Sequence, residues 1–297
     1  MTPQTCQVLV IGAGPGGYVC AIRAAQLGLV TIVVEAAAPG GTCLNVGCIP
    51  SKALLHAAGE FHAARHFAGA NALGITCAAP GIDLGRTIAW KDGIVARLAE
   101  GVSGLLRRAK VRVIHGTARI VDGKTVAVET AAGPLRIQTG DLVIATGSRP
   151  QAIAALPFGG DILSSTEALS LTAVPARLAV VGGGYIGLEI GTAMAKLGAA
   201  VTVVEAGPRI LPHHDADLTR PVVARLRMLG VSLLTGARAR GFADAALTVS
   251  LADGERQVPA DKVLIAAGRA PATGGFGLED LRHDKAGPFL AVDAQCR

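Results

Sequence analysis

Apolar residues fall along this chain in two copies of one pattern. Val8-Leu9-Val10-Ile11 runs straight into Gly12-Ala13-Gly14-Pro15-Gly16-Gly17, and Leu178-Ala179-Val180-Val181 runs into Gly182-Gly183-Gly184-Tyr185-Ile186-Gly187. Continuous apolar runs of this length fit strands buried on both faces. A stretch of helical composition follows each glycine run, from Tyr18 to Leu27 with Gly28 as its stop, and then up to Gly198 in the second copy. A second short strand, Val30 to Val34 and Val201 to Val204, then delivers an acid, Glu35 or Glu205. Each acid stands 23 residues after the first glycine of its copy (35 − 12 and 205 − 182). Each copy closes on one more apolar strand, Asp141 to Ala145 ahead of Thr146-Gly147 and Lys262 to Ala267 ahead of Gly268, with Pro150 and Pro271 just beyond.

Strand, G-x-G-x-x-G, helix, strand and terminal acid form a dinucleotide-binding unit. The first glycine makes the tight turn, the second lets backbone approach a pyrophosphate, the third lets helix pack on strand, and the acid takes a ribose hydroxyl. Two units predict an α/β chain of two Rossmann-like domains with three-layer sandwich character, binding two dinucleotides. Glu205 is followed by no basic residue until Arg209, which favours a 2′-hydroxyl over a 2′-phosphate and hence NAD over NADP at the second site. The organisation read from the pattern is a first domain over 1–150, a second over 151–272, and a return toward the first over 273–297. A long helix from Arg86 to Ala109 and a small β excursion through Val111 to Gln138 interrupt the first.

Composition changes this picture little. Hydrophobic residues make up 51% of the 297, but aromatic ones only 3%, as in helix-covered parallel sheets rich in Ala, Val, Leu and Ile. Mean hydropathy is +0.47, yet no uninterrupted apolar stretch reaches the ~18 residues that span a bilayer. The start lacks a basic region ahead of its apolar run, so a cytoplasmic protein is expected. Net charge is +6 and the pI about 9.2, but the basic residues are scattered. The densest group, Arg107, Arg108, Lys110 and Arg112, closes the long helix, where cations complement the dipole, and nucleic-acid binding is not expected. His213-His214-Asp215 lacks further ligands at metal spacing, so no metal site is expected.

The chemistry lies in Gly40-Gly41-Thr42-Cys43-Leu44-Asn45-Val46-Gly47-Cys48-Ile49-Pro50-Ser51-Lys52, where two cysteines stand five positions apart just after the first fingerprint. Cysteines so spaced in a turn or a distorted helix start can approach closely enough to bridge, and a helix beginning there would favour a thiolate. Taken alone, a pair so spaced is more often two unrelated buried core cysteines. Beside a dinucleotide fingerprint it points to two-electron redox chemistry on a disulfide. Cys6, Cys20, Cys77 and Cys296 show no pairing pattern.

On these motifs the chain resembles the flavoprotein disulfide reductases over essentially its whole length, and residues 40–55 are most similar to the dihydrolipoamide dehydrogenase branch of that family. The resemblance implies that the first fingerprint binds FAD, through Gly12, Gly14, Pro15, Gly17, Glu35, Gly41, Thr42, Lys52, Thr146, Gly147 and Ala118 of the Gly116-Thr117-Ala118 turn. It implies NAD at the second, through Gly182, Gly184, Tyr185, Gly187, Glu205 and Gly268, with Tyr185 either an aromatic gate over the flavin or a packing residue. Cys48 would lie next to the flavin and Cys43 would exchange with substrate, while Lys52 would lie near the flavin and pair in a dry place with Glu189, costly to break. The implied reaction passes electrons from dihydrolipoamide to a Cys43/Cys48 disulfide, then FAD, then NAD, with the dithiol carried on a lipoyl domain of a 2-oxo acid dehydrogenase complex and the enzyme a homodimer. Alternatives are a glutathione- or mercuric-reductase-like enzyme, or a nucleotide-binding remnant without dithiol turnover.

The family pattern also implies a strand carrying a flavin-contacting Gly-Asp pair and a dimer-interface domain with a His-Glu acid/base pair. Neither is expected in this sequence. None of His56, His62, His66, His115, His213, His214 or His283 stands in the matching His-Pro context.

Overall fold

A computed structural model describes residues 4–297. Strand β1 (Gln4–Ile11) leads through the first glycine turn into helix α1 (Pro15–Gln26), then β2 (Thr31–Glu35). Helix α1 starts with Pro15 in its first turn, where a missing N–H costs nothing, so it begins three residues before the expected Tyr18. Helices α2 (Gly41–Val46), α3 (Cys48–Ala68) and α4 (Leu84–Arg108) follow, and then β3 (Arg112–His115), β4 (Thr117–Asp122), β5 (Thr125–Thr130), β6 (Gly133–Ile144) and the short β7 (Ser148–Pro150).

The second copy is built in the same order. After β8 (Ile162–Leu163) and α5 (Ser165–Ala168) come β9 (Arg177–Val181), α6 (Tyr185–Leu197), β10 (Ala200–Glu205), α7 (Ala216–Met228) and β11 (Ser232–Thr235). Short α5 is held by a capping box, with the Ser164 side chain accepting from the Thr166 N–H and Glu167 accepting from the Ser164 N–H. Helix α6 stops at Gly198, which takes φ 110° and donates to the Ala195 carbonyl. Strands β12 (Arg238–Ala243), β13 (Ala246–Leu251) and β14 (Gly254–Pro259) form a separate antiparallel sheet, and β15 (Lys262–Ile265) returns beside β9. The tail holds β16 (Arg269–Pro271), a turn at Leu278–Asp280, and the hairpin β17 (Lys285–Ala286) and β18 (Phe289–Leu290).

Two compact units result, one made of 4–48, Val95–Arg149 and Ala270–Arg297, the other of Ile49–Ile94 and Pro150–Arg269. In the first, the sheet order is β3-β2-β1-β6-β5-β4, with β1 parallel to β2 and β6, and its core gathers Leu9, Ile32, Ile120, Val126 and Ile137. The excursion expected over 111–138 is not a separate excursion. Strand β6 runs unbroken from its hairpin with β5 into the parallel core, so hairpin and core share one sheet.

In the second unit the order is β11-β10-β9-β15-β8, all parallel neighbours. Residues 49–94, read from the sequence as part of 1–150, belong to this unit. Leu54, Ala58, Leu84 and Ile88 are buried in one cluster with Leu188, Met194 and Leu197, so apolar packing assigns them.

Candidate functional site

Each glycine turn divides its labour among three glycines. A Cβ on Gly12 would come within 2.4 Å of the Ala145 carbonyl oxygen, and one on Gly17 within 1.8 Å of the Gly12 oxygen. In the second unit, a Cβ on Gly182 would meet the Ala266 oxygen at 2.4 Å and one on Gly187 the Gly182 oxygen at 2.4 Å. First and third glycines are therefore demanded by strand and helix packing. The middle one is not: a Cβ on Gly14 would find only Gly41 Cα at 3.7 Å, and one on Gly184 nothing within 4 Å. Open backbone at the start of a helix, with N–H groups pointing outward, suits a phosphate group. Pro15 and Tyr185 are the first residues of their helices. Tyr185 is 63% exposed.

The acids hold these turns. Glu35 Oε2 accepts from the Ala13 N–H at 2.6 Å and Oε1 from the Ala37 N–H at 2.8 Å. Glu205 repeats the arrangement with the N–H groups of Gly183 at 2.7 Å and Gly207 at 2.6 Å. Each carboxylate ends its strand beside the turn and keeps lone pairs for a ribose. The donor sets and the open middle glycines fit a dinucleotide in each unit.

The closing strands end similarly. Thr146 Oγ1 donates to the Ala272 carbonyl at 2.6 Å, and the Gly147 carbonyl accepts from the Ala272 N–H at 2.9 Å. Gly268 takes φ 132° and its carbonyl accepts from the Gln151 N–H at 3.1 Å. Ala118 lies on β4, 6% exposed and among core residues.

The cysteine segment starts on the first turn. Gly41 takes φ 59°, and a Cβ there would sit 2.5 Å from Gly14 Cα, so the two backbones touch and position 41 requires glycine. Exposed Thr42 and partly buried Cys43 lie on α2, and Asn45 of the same helix donates to the carbonyls of Ala38 and Pro39, tying the loop ahead of it. Gly47 breaks the chain into α3, of which the exposed Cys48 is the first residue, so its sulfur lies at the positive end of a 21-residue helix.

Four residues further along α3, Lys52 Nζ lies 2.8 Å from both oxygens of Glu189 on α6, and Ser51 Oγ donates to Glu189 Oε2 at 2.8 Å. The Lys52 side chain is 58% exposed and that of Glu189 31%; between groups this open, an ion pair by itself is worth on the order of 1 kcal/mol or less. Ser51, only 7% exposed, was missed by sequence reasoning, although a polar residue beside Lys52 could have signalled it.

Residues 6–297 match the model of the family described as pyridine nucleotide-disulphide oxidoreductase. The chain belongs to that family. Among curated members, a dihydrolipoyl dehydrogenase of Pseudomonas aeruginosa is 55% identical over 292 residues, covering 98% of this chain and 63% of the relative. Dihydrolipoyl dehydrogenase 2 of Haloarcula marismortui is 44% identical, with the same shares covered. Among solved members, LpdA from Mycobacterium tuberculosis superposes with a TM-score of 0.84 at 30% identity, covering 97% of this chain and 64% of that one. The HOCl-induced flavoprotein disulfide reductase RclA from Escherichia coli gives 0.82 at 28% identity, covering 99% and 63%. The chain thus spans under two thirds of the length of these oxidoreductases. Among its described residues, no helix is long and apolar enough to cross a membrane.

Proposed function

We propose that this oxidoreductase chain is the dinucleotide-binding, dithiol-bearing part of a dihydrolipoamide:NAD oxidoreductase, its first glycine turn taking FAD and its second NAD. The observation that carries the reading is the backbone contact of Gly41 with Gly14, which starts the cysteine segment on the turn fitted to the first dinucleotide. The substrate is supported by the activity for which these similar dihydrolipoyl dehydrogenases are named. In the cell the substrate would be borne on a lipoyl domain of a 2-oxo acid dehydrogenase complex, the enzyme a cytoplasmic homodimer.

Bound FAD supplies the two-electron exchange between a dithiol and nicotinamide. The chain's own part is thiol exchange. One substrate thiolate attacks Cys43 Sγ of the disulfide, the Cys43–Cys48 bond breaks, and Cys48 leaves as a thiolate. The second substrate thiolate then attacks the substrate sulfur of the mixed disulfide, closing the lipoamide ring and releasing Cys43 as a thiolate. Two electrons move from substrate to the cysteine pair, and the substrate protons go to solvent or a base. The start of α3 favours Cys48 as leaving group, because its helix dipole stabilises the anion.

The test is thiol exchange on the purified chain with oxidised lipoamide, read by mass spectrometry of labelled thiols. The reduced wild type should close Cys43 to Cys48 and release dihydrolipoamide, while Cys48→Ser should keep no lasting lipoyl adduct, because the second lipoyl thiol recloses the ring and expels Cys43. The reading is overturned if the reduced wild type is oxidised by glutathione disulfide and not by lipoamide.

A further inference from the structure

Each glycine turn has a second anchor besides its acid. The Ala13 carbonyl accepts from the Gly40 N–H at 2.8 Å, and at the same place in the second unit the Gly183 carbonyl accepts from the Leu211 N–H at 2.9 Å. Both donors are left-handed, with φ 111° at Gly40 and 50° at Leu211. Glycine adopts such angles freely, whereas leucine does so only against its own Cβ, so surrounding structure must hold Leu211 there.

Arg209 spans that residue. Its Nη1 donates to the His214 carbonyl at 2.8 Å and its Nη2 to the Pro212 carbonyl at 2.7 Å, while the His214 N–H donates to the Leu211 carbonyl at 3.0 Å. Two guanidinium nitrogens thus clip 209–214 into a tight loop with Leu211 inside it. Between them Ile210 is buried, and a Cβ on Gly183 would meet its Cγ2 at 2.9 Å, so the loop lies directly against the glycine turn.

We propose that Arg209 is a positioning residue for the second dinucleotide: by clipping the Pro212 and His214 carbonyls it holds Leu211 left-handed, and the Leu211 N–H fixes the Gly183 peptide leading into Gly184. The inference rests on the reading of that turn as an NAD site. It gives the first basic side chain after Glu205 a task other than meeting a 2′-phosphate.

The experiment is fluorescence titration of the purified chain with NADH and with NADPH, for wild type, Arg209→Lys, Arg209→Gln, and Arg209→Gln combined with Leu211→Asn. Asparagine tolerates left-handed backbone, so it relieves the need for the clip without restoring any arginine contact. Arg209→Gln should weaken both cofactors about tenfold, leaving their ratio unchanged, because the loop must then be ordered on binding. Arg209→Lys should fall between it and wild type, and the Asn combination should recover most of the loss. Unchanged NADH binding in Arg209→Gln overturns the proposal, as does a loss confined to NADPH, or a loss that Leu211→Asn leaves in place. A wild type that binds neither cofactor instead overturns the NAD reading itself, and this inference with it.

Discussion

The glycine turn of the first unit and that of the second are hung from matching backbone bonds. Gly12 and Gly182 each donate to the strand beside them, at Val34 and Val204, both at 2.8 Å. The carbonyls of Glu35 and Glu205 each accept from an N–H further along, at Gly116 and Ala237, both at 3.0 Å. They part company at Gly40 and Leu211. In the first unit a glycine pair lets the chain turn onto Gly14 and enter the cysteine helices; in the second a leucine is clipped in place and the chain leads on to α7. The same anchor is thus met by conformational freedom where backbone meets backbone, and by side-chain constraint where a side chain meets the turn.

That comparison is broken most severely at the third glycines. Gly17→Ala and Gly187→Ala should each cost about 3 kcal/mol or more in urea unfolding, because the Cβ meets backbone that cannot give way. Gly17→Ala should cost more, its contact being 1.8 Å against 2.4 Å. Equal and small losses would mean that the two helices can slide on their strands.

An exchange at the anchors is expected to be unequal. Gly40→Leu should cost about 2 kcal/mol, since its Cβ would lie 2.9 Å from Leu44 and no clip opposes the left-handed strain. Leu211→Gly should stay within about 1 kcal/mol, relief of strain offsetting lost packing. Urea midpoints of both variants check the order.

The smallest difference concerns pH. Below its glycine turn the second unit joins Arg177 to Asp261, whose Oδ2 accepts from the Arg177 N–H at 2.8 Å and whose Oδ1 accepts from its guanidinium. The first unit uses neutral bonds at its corresponding end, such as the Val30 N–H to Gln7 Oε1 at 2.8 Å. The Arg177 hydrogen bonds hold the Asp261 carboxyl below its ordinary value. Its stabilisation is therefore complete above the unfolded aspartate value of about 3.9 and is lost as pH falls through the lower folded one. Asp261→Asn should flatten the acid side of the melting profile slightly and leave the neutral side unchanged in slope.

The repeated turns were legible because every signal is local: an apolar run, glycines at fixed spacing, an acid at the end of the next strand. Other features needed partners distant in sequence. Gly140 falls between the excursion expected to end at Gln138 and the closing strand expected from Asp141, but a Cβ there would meet the Gln7 oxygen at 3.0 Å, so the glycine marks β1 passing close by and β6 continues through it. The membership of 49–94 depends on Leu54 and Ala58 finding Leu188 and Met194, which no period within α3 reveals. Lys52 and Glu189, 137 positions apart, were joined only through the family resemblance. Leu211 gives no hint of its backbone conformation, since leucine ordinarily avoids it, and Arg209 looked only like the next charge along.

The interleaving of the two units bears on how the chain matures as it leaves the ribosome. The second unit has all its strands once Arg269 has emerged. The first began earlier, yet its core also takes Phe276 and Leu278, and the Ile120 N–H waits for the Phe276 carbonyl, 2.7 Å away in the finished molecule. All six strands of the first sheet are made by Ile144, but its β4 edge stays uncovered while the second unit gathers its strands, so the nascent chain carries that edge for well over a hundred residues of elongation, the stretch over which a chaperone would find most to hold.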